Sequence, residues 1–263
     1  MFSYDEAIKS ANEFIHRLSV GVHVDDMETR WLIHKMAWYV CVCGWLTEEE
    51  ARKQRLVRMT TEGFARETAS ESPAPGGGSI SAYMGALSAA LGTMVANLSA
   101  HKRGWDDRWK EFSDVAEQGQ ALMQELLDLV DEDTAAFDRI MACFGMPKGT
   151  VEEKAARAAA IEEATLYAAS VPLKTMETAL KTLPLALEMA QKGNPASASD
   201  AGVAALAARA ACRGAELNVR INASGLKDHA PAAPLIARAA EILKEAEALE
   251  AQVLEAVNNH INQ

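Results

Sequence analysis

One acidic residue falls where a helix would be expected to bury apolar side chains. Apolar residues recur at helical spacing through residues 106–144, and Asp133 lies among them, between Val130 and Phe137. An unpaired charge is costly to bury, so a carboxylate at this position needs a partner or a function. A partly dry groove raises the pKa of a carboxyl group and suits it to proton transfer. Asp133 is therefore a candidate catalytic residue, and a structural ion pair is the alternative.

Two amide side chains share one face of a helix that we predict over residues 200–223. Asn218 and Asn222 lie one turn apart and in line with Gly214, which would let a ligand or another backbone approach closely. Two amides can donate and accept hydrogen bonds along the edge of a flat heterocycle. The alternative is that they bridge neighbouring helices.

A glycine-rich loop precedes the least polar part of the chain. Residues 72–79 read SPAPGGGS, and residues 80–100 carry no charge. The loop lacks the Gly-Lys-Ser/Thr of a Walker loop, and no strand precedes it as a dinucleotide-binding loop requires. It leads into a helix that begins near Ser79, where free N–H groups favour an anion or a polar ligand edge. A tight turn with a capping serine is the alternative.

Several cations could bind the anionic part of a ligand, although each could also be a solvated surface charge. They are Arg209, Arg213 and Arg220 on one helix, Lys102 and Arg103 after the uncharged segment, and Lys174. The net charge is −11, so the surface as a whole does not favour nucleic acid or an anionic membrane. An anionic ligand would need a local basic patch.

The periodicity predicts an all-α protein, an up-and-down bundle of long helices that are partly kinked. The expected helices cover residues 4–18, 26–43, 47–68, 79–100, 106–144, 150–191, 200–223 and 233–259. We expect Pro172 and Pro184 to break or kink the sixth of these. The uncharged helix has many small residues and few large apolar ones, which indicates a packed central helix and not a membrane span.

A domain boundary is expected near residue 57. Residues 1–56 form an N-terminal helical extension of unknown role, which contains Trp31, Trp38 and Trp45, and residues 57–263 form the main bundle. The extension is either a docking surface or a hairpin that packs its own aromatic side chains on the bundle.

The cysteines and the N-terminus indicate a cytoplasmic protein. Four cysteines show no zinc-binding spacing, and Cys41 and Cys43 are too close in sequence to pair well. The first residues include acids and no apolar core of a signal peptide. We therefore expect reduced thiols and no metal site.

Four segments occur in an order and at a spacing that resemble the cyclodeaminase/cyclohydrolase family. They read SPAPGGGSISAYMGALSAALGTMVANLS, DEDTAAFDRIM, VPLKTMETAL and GNPASASDAGVAALAARAACRGAELNVRIN. The resemblance covers about residues 57–258. It matches the C-terminal half of formiminotransferase-cyclodeaminase and stand-alone bacterial relatives, and the transferase half has no counterpart.

The resemblance implies a dimeric helical bundle with a folate site in a cleft near the dimer interface. The matching positions are Pro75, Gly76, Gly77, Gly78, Ser79, Asp133, Lys174, Asn194, Asp200, Asn218 and Asn222. Lys102, Arg213 and Lys174 would steer the glutamate tail of the folate. Relatives tend to have glycine where this chain has His101, which would alter the mouth of the cleft.

The implied reaction closes 5-formiminotetrahydrofolate to 5,10-methenyltetrahydrofolate and releases ammonia. Asp133 is the first candidate for moving the proton and Asp200 the second, although Asp200 also suits a helix cap. The alternatives are a methenyltetrahydrofolate cyclohydrolase on the same scaffold and a folate-binding or interaction protein without catalysis. No cofactor beyond the tetrahydrofolate substrate is expected. The expected partners are a second copy of the chain and a separate formiminotransferase.

Overall fold

The computed structural model of the protein describes residues 55–262. The chain divides into two compact units, Met1–Met59 and Thr60–Gln263. The α-helices of the described residues are α1 (Thr61–Thr68), α2 (Gly77–Ala100), α3 (Trp109–Phe144), α4 (Val151–Lys192), α5 (Ala198–Ser224) and α6 (Ala233–Ile261). Three short 3-10 helices cover Leu56–Arg58, Pro195–Ser197 and Ala230–Ala232, and residues 55–262 contain no strand. The predicted all-α bundle is confirmed.

The helices α2 to α5 run antiparallel to the helix that follows each in the chain. Gly85 of α2 faces Leu126 of α3, whereas Gly78, earlier on α2, faces Asp133, later on α3. The same reversal relates α3 to α4 and α4 to α5. Helix α6 packs against α4 and α5. The up-and-down order places the start of α2 beside the second half of α3.

Helix α2 occupies the centre of the bundle, as its composition predicts. Its inner face consists of small side chains, and Ala82, Ala86, Ala89 and Ala96 are at most 2% exposed. By length and composition α2 would also be able to cross a membrane, but 61% of its apolar window is buried inside the bundle. Small side chains let α3, α4 and α5 approach it closely, which accounts for the alanine, serine and glycine content of this segment.

Of the break or kink predicted in the sixth helix, the break is wrong, because α4 continues through both Pro172 and Pro184. A proline lacks a backbone N–H, so Pro172 leaves the carbonyl of Ala168 without its helical donor. Asn222 Nδ2 of α5 donates to that oxygen at 2.7 Å. The neighbouring helix thus replaces the hydrogen bond that the proline removes, which a reading of α4 alone does not reveal.

The helix predicted over residues 47–68 is also wrong over its described part. Leu56–Arg58 forms a 3-10 turn, and a separate helix begins after Thr60. The Thr60 side chain accepts a hydrogen bond from the Gly63 backbone N–H at 3.0 Å, which caps α1. The helices predicted over residues 4–18 and 26–43, with their tryptophans, lie outside the described residues.

The Asn222 bond predicts an energetic coupling between two helices. Asn222→Ala should lower the free energy of unfolding by about 1–3 kcal/mol, because the Ala168 carbonyl would lose its donor. Pro172→Ala restores a backbone N–H to that carbonyl. In that background Asn222→Ala should therefore cost roughly half as much or less. Urea denaturation of the four proteins measures the coupling.

Asn97→Ala is the matched control, since Asn97 is an exposed amide on α2. Its effect should be the same with Pro172 as with Ala at position 172. An equal cost of Asn222→Ala in both backgrounds would show that Asn222 does not compensate for the proline.

Candidate active site

A cavity of about 160 Å³ lies at the start of α2, between α3, α4, α5 and the glycine-rich loop. Its lining consists of Pro73, Ala74, Gly76, Gly77, Gly78, Asp133, Thr134, Phe137, Ile140, Ala168, Asn218 and Asn222. The glycine-rich loop, Asp133 and the pair Asn218 and Asn222, which the sequence singled out on three separate segments, therefore meet here. The N-terminus of α2 faces this space with its free backbone N–H groups.

Asp133 contacts the first turn of α2. The Ser79 hydroxyl donates to Asp133 Oδ2 at 2.9 Å, and the Ser79 backbone N–H also donates to the carboxylate. A Cβ atom at position 78 would overlap the carboxyl group, so only glycine allows this approach. Asp133 thus caps α2 from a different helix and at the same time borders the cavity. Asp133 forms no ion pair with any residue in the described part of the chain, so its alternative role in a structural ion pair is not observed.

Burial raises the pKa of the Asp133 carboxyl above its ordinary value of 3.8, and the two hydrogen bonds from Ser79 offset only part of that effect. Hydrogen bonds to a carboxylate stabilise the charged form, whereas loss of water destabilises it. The net direction brings Asp133 closer to the range in which a carboxyl group can both accept and release a proton.

The two predicted asparagines line the cavity, and the nitrogen of each side-chain amide already donates one hydrogen bond to a backbone carbonyl. Asn218 Nδ2 donates to the Gly214 carbonyl at 2.9 Å, and Asn222 Nδ2 donates to the Ala168 carbonyl at 2.7 Å. Within residues 55–262 no donor reaches their amide oxygens. The pair therefore offers two acceptor oxygens to a ligand, besides the second N–H of each amide, so the site suits a molecule with N–H groups along its edge.

Three further residues of α3 border the cavity. Phe137 and Ile140 form an apolar wall, which suits the face of a planar ring. The Thr134 hydroxyl is buried and has no hydrogen-bond partner in the described region. Phe137 and Ile140 lie one and two turns after Asp133 and belong to the apolar spacing of residues 106–144, which by itself predicts only core positions. No signal in the sequence singled out Thr134.

Lys174 lies near the site but outside the cavity lining. Its ammonium group pairs with Glu132 at 2.9 Å, and the Tyr167 hydroxyl donates to the same carboxylate at 2.9 Å. The bond to Glu132 raises the pKa of Lys174, despite partial burial. For Glu132, burial acts to raise the pKa, but the bonds from Lys174 and Tyr167 outweigh it and lower the pKa. The ion pair thus holds the Lys174 ammonium group at Glu132, the residue that precedes Asp133 in the sequence.

Three predicted site residues lie at the opposite end of the bundle within one chain. Lys102 follows α2, whose 24 residues extend about 36 Å from the glycine-rich loop. The Asn194 backbone N–H donates to Ser99 Oγ at 2.8 Å, at that same far end of α2. Asp200 lies in the first turn of α5, about 27 Å along the helix from Asn218. These residues do not border the cavity of their own chain.

The remaining predicted residues fall into two groups. Ser79 and Pro75 are buried beside the cavity, whereas Arg213 is exposed on the outer side of α5 and pairs with Glu216 at 3.6 Å. Among the described residues there is no group of three His, Cys, Asp or Glu side chains placed to hold a metal ion.

The environment of Asp133 predicts a stability change with pH. Because its pKa is raised on folding, the folded protein holds this proton more tightly than the unfolded chain does. The resulting stabilisation is present at low pH and is lost as pH rises from 3.8 through the higher pKa of the folded protein. The asparagine of the Asp133→Asn variant cannot ionise, so the variant does not lose this stabilisation. Its free energy of unfolding relative to the unchanged protein should therefore increase as the pH rises from about 3 to about 7.

Chemical denaturation across that pH range tests this, with the exposed Asp138→Asn as a control on the same helix. A stability difference for Asp133→Asn that worsens or stays constant as pH rises would contradict the raised pKa.

Comparison with known proteins identifies the family of the chain. The family model described as formiminotransferase-cyclodeaminase matches residues 60–241. A methenyltetrahydrofolate cyclohydrolase from Methylorubrum extorquens is 41% identical, over 77% of this chain and 98% of the relative. The formimidoyltransferase-cyclodeaminase of Mus musculus is 35% identical over 81% of this chain, which spans only 39% of the mouse protein.

A solved structure is also similar. The crystal structure of formiminotetrahydrofolate cyclodeaminase from Thermotoga maritima superposes with a TM-score of 0.68 at 26% identity, and the match covers 78% of this chain and 98% of that one. A family model that spans most of the bundle, a relative matched almost end to end and the same helical fold all agree. The chain therefore belongs to the formiminotransferase-cyclodeaminase family, as the resemblance of its motifs predicted.

Proposed function

We propose that this chain is a folate one-carbon enzyme that forms or opens the ring of 5,10-methenyltetrahydrofolate. The observation that carries the proposal is Asp133, a half-buried carboxyl group with a raised pKa at a cavity with amide acceptors and an apolar wall. The acceptors suit the N–H groups of a reduced pterin, and Phe137 and Ile140 suit its ring face. An ionised Asp133 would also stabilise the methenyl cation.

Hydrolysis of the methenyl compound has the stronger support, since the relative matched almost end to end is named for that reaction. A water molecule attacks the methenyl carbon, and Asp133 accepts one of its protons. The bond from that carbon to N5 then breaks, and Asp133 returns the proton to N5. The second water proton goes to solvent, and 10-formyltetrahydrofolate results.

The second candidate is the cyclodeaminase reaction, which is supported by the similar structure from Thermotoga maritima. N10 attacks the formimino carbon, so that a bond from N10 to this carbon forms. Asp133 carries the N10 proton to the formimino nitrogen, which takes a further proton from solvent. The carbon–nitrogen bond breaks, ammonia leaves, and the methenyl cation remains. Both reactions need one carboxyl group that accepts and then releases a proton, and neither needs a cofactor besides the substrate.

A two-substrate assay separates the candidates. The methenyl compound absorbs light strongly, so its loss reports hydrolysis, and its formation from 5-formiminotetrahydrofolate reports deamination. Turnover of either substrate supports the proposal, and the faster reaction identifies the activity. Tight folate binding without turnover of either compound would instead support a binding protein.

Asp133→Asn should keep the fold and lower kcat on the preferred substrate by about 10²-fold or more, because proton transfer contributes on that scale. Steady-state kinetics measure this, and Asp138→Asn on the exposed side of α3 should retain normal turnover. Near-normal kcat in Asp133→Asn would remove Asp133 from catalysis.

We also propose that the protein is a homodimer, which the resemblance implies, and that it is cytoplasmic, which the spacing of its cysteines supports. Sedimentation velocity should then give twice the chain mass of 28.3 kDa. The mouse relative carries a transferase in its name and the present chain covers only part of it, so a separate formiminotransferase is the proposed partner for the deaminase reaction.

A further inference from the structure

Thr134 is a polar residue of the cavity lining that the proposed reaction does not yet use. Its hydroxyl oxygen is buried, and none of the described residues forms a hydrogen bond with it. A buried hydroxyl group without a partner destabilises a folded protein, and valine would fill the same space without that cost. The hydroxyl at position 134 therefore indicates a small polar molecule or a substrate group that binds to it.

Other threonines inside the helices satisfy their hydroxyl groups locally. The hydroxyls of Thr68, Thr93 and Thr182 donate to backbone carbonyls of the preceding turn at 2.7–2.8 Å. This bond is common for a threonine inside a helix. Thr134 lies inside α3, with the Val130 carbonyl one turn before it, yet its hydroxyl forms no such bond. The fold of α3 thus leaves this hydroxyl available to the cavity.

Thr134 directly follows Asp133, the proposed acid–base group, and both residues border the cavity. Consecutive side chains of a helix diverge by about 100°, so the hydroxyl and the carboxylate do not face each other. A water molecule can join two such groups, because two hydrogen bonds of about 2.8 Å each connect oxygens that lie up to about 5 Å apart. Adjacent positions on one helical turn suit that separation.

Other polar groups around Asp133 are already engaged with one another. Ser79 donates its hydroxyl to the Asp133 carboxylate at 2.9 Å. Glu132 accepts hydrogen bonds from Tyr167 and Lys174, both at 2.9 Å. The two asparagines of the cavity belong to α5, and their oxygens suit the N–H groups of a pterin. Thr134 therefore offers, from the same helix as Asp133, an acceptor that a water molecule bonded to that carboxylate can reach.

We propose that Thr134 positions the attacking water in the hydrolysis of the methenyl compound, an inference that rests on the proposed function. One O–H of the water donates to Asp133 and the other donates to Thr134 Oγ1, which directs a lone pair of the water oxygen toward the methenyl carbon. As the carbon–oxygen bond forms, Asp133 takes the first proton, and it returns this proton to N5 when the bond from the carbon to N5 breaks. The second proton leaves to solvent as the formyl carbonyl forms, and Thr134 keeps its own proton.

This role concerns only one of the two candidate reactions. In the deamination of 5-formiminotetrahydrofolate the nucleophile is N10 of the substrate, so no water has to be held beside Asp133. The Thr134 hydroxyl should therefore favour hydrolysis over deamination, which makes it a residue that determines the reaction and not only one that packs in the cavity wall.

Two substitutions separate the hydroxyl from the shape of the side chain. Thr134→Val keeps the shape and removes the hydroxyl, so kcat for hydrolysis should fall about tenfold, the effect of one lost hydrogen bond to the water. KM should stay within about twofold, because the folate itself loses no contact. Thr134→Ser keeps the hydroxyl and should retain kcat within about twofold. A packing role predicts the opposite order, and that result would overturn the proposal.

The matched control is Thr175→Val, which removes another buried hydroxyl from the bundle. Thr175 belongs to α4, lies outside the cavity lining and donates to the Val171 carbonyl at 3.4 Å. Its replacement should leave kcat for hydrolysis unchanged. If the chain also turns over 5-formiminotetrahydrofolate, Thr134→Val should leave kcat for that substrate unchanged. An equal loss of both activities would show that Thr134 supports Asp133 in general, against the proposal.

A binding measurement completes the test. Calorimetric titration with 5-formyltetrahydrofolate, a stable reduced folate, should give the same Kd for the unchanged protein and for Thr134→Val. Weaker binding by the variant at unchanged kcat would assign the hydroxyl to the folate and overturn the proposal. An unchanged protein that turns over only 5-formiminotetrahydrofolate would overturn the role of Thr134 alone, whereas turnover of neither substrate would overturn the proposed function as well.

Discussion

The approach of α2 to α3 at Gly78 is the contact on which the cavity depends. A side chain at this position would displace the Asp133 carboxyl group, and Ser79 would then lose the acceptor of its hydroxyl and backbone N–H. The Asp133 carboxylate consequently caps the N-terminus of α2 and also borders the cavity. Because α2 begins there while α3, α4 and α5 continue past it, the cavity occupies the space above the α2 N-terminus.

The same contact connects stability to chemistry. Capping a helix favours a charged carboxylate, whereas burial disfavours it, and burial dominates at Asp133. The pKa of the Asp133 carboxyl group is therefore higher than that of a solvated aspartate. Such a group is useful in a reaction in which one proton must be accepted and then returned.

Asn222 shows how one side chain can serve both the fold and the site. Its amide nitrogen completes the hydrogen bonding of α4 beside Pro172, and its oxygen is left toward the cavity. The proline and the asparagine are far apart in sequence, and each is unfavourable alone, one in a helix and the other in a partly buried position. Together they fix the position of α5 against α4 where the ligand would lie.

Much of the fold was predictable because it depends on local spacing. The long helices, the central position of the uncharged segment and the inward position of Asp133 follow from apolar periodicity and from one charge placed out of pattern. The motifs also indicated the family. The uninterrupted course of α4 was not predictable, because the donor that compensates for Pro172 comes from another helix.

The grouping of the site residues required the tertiary structure. The sequence identified the glycine-rich loop, Asp133, Asn218 and Asn222, and antiparallel packing brings them to one end of the bundle. It also suggested Lys102, Asn194 and Asp200, which the same packing places at the other end. Residue type and spacing determine what a side chain can do and which helix face it occupies. Only the direction in which each long helix runs decides which of these groups meet, because a helix of 24 residues separates its ends by more than the length of a small ligand.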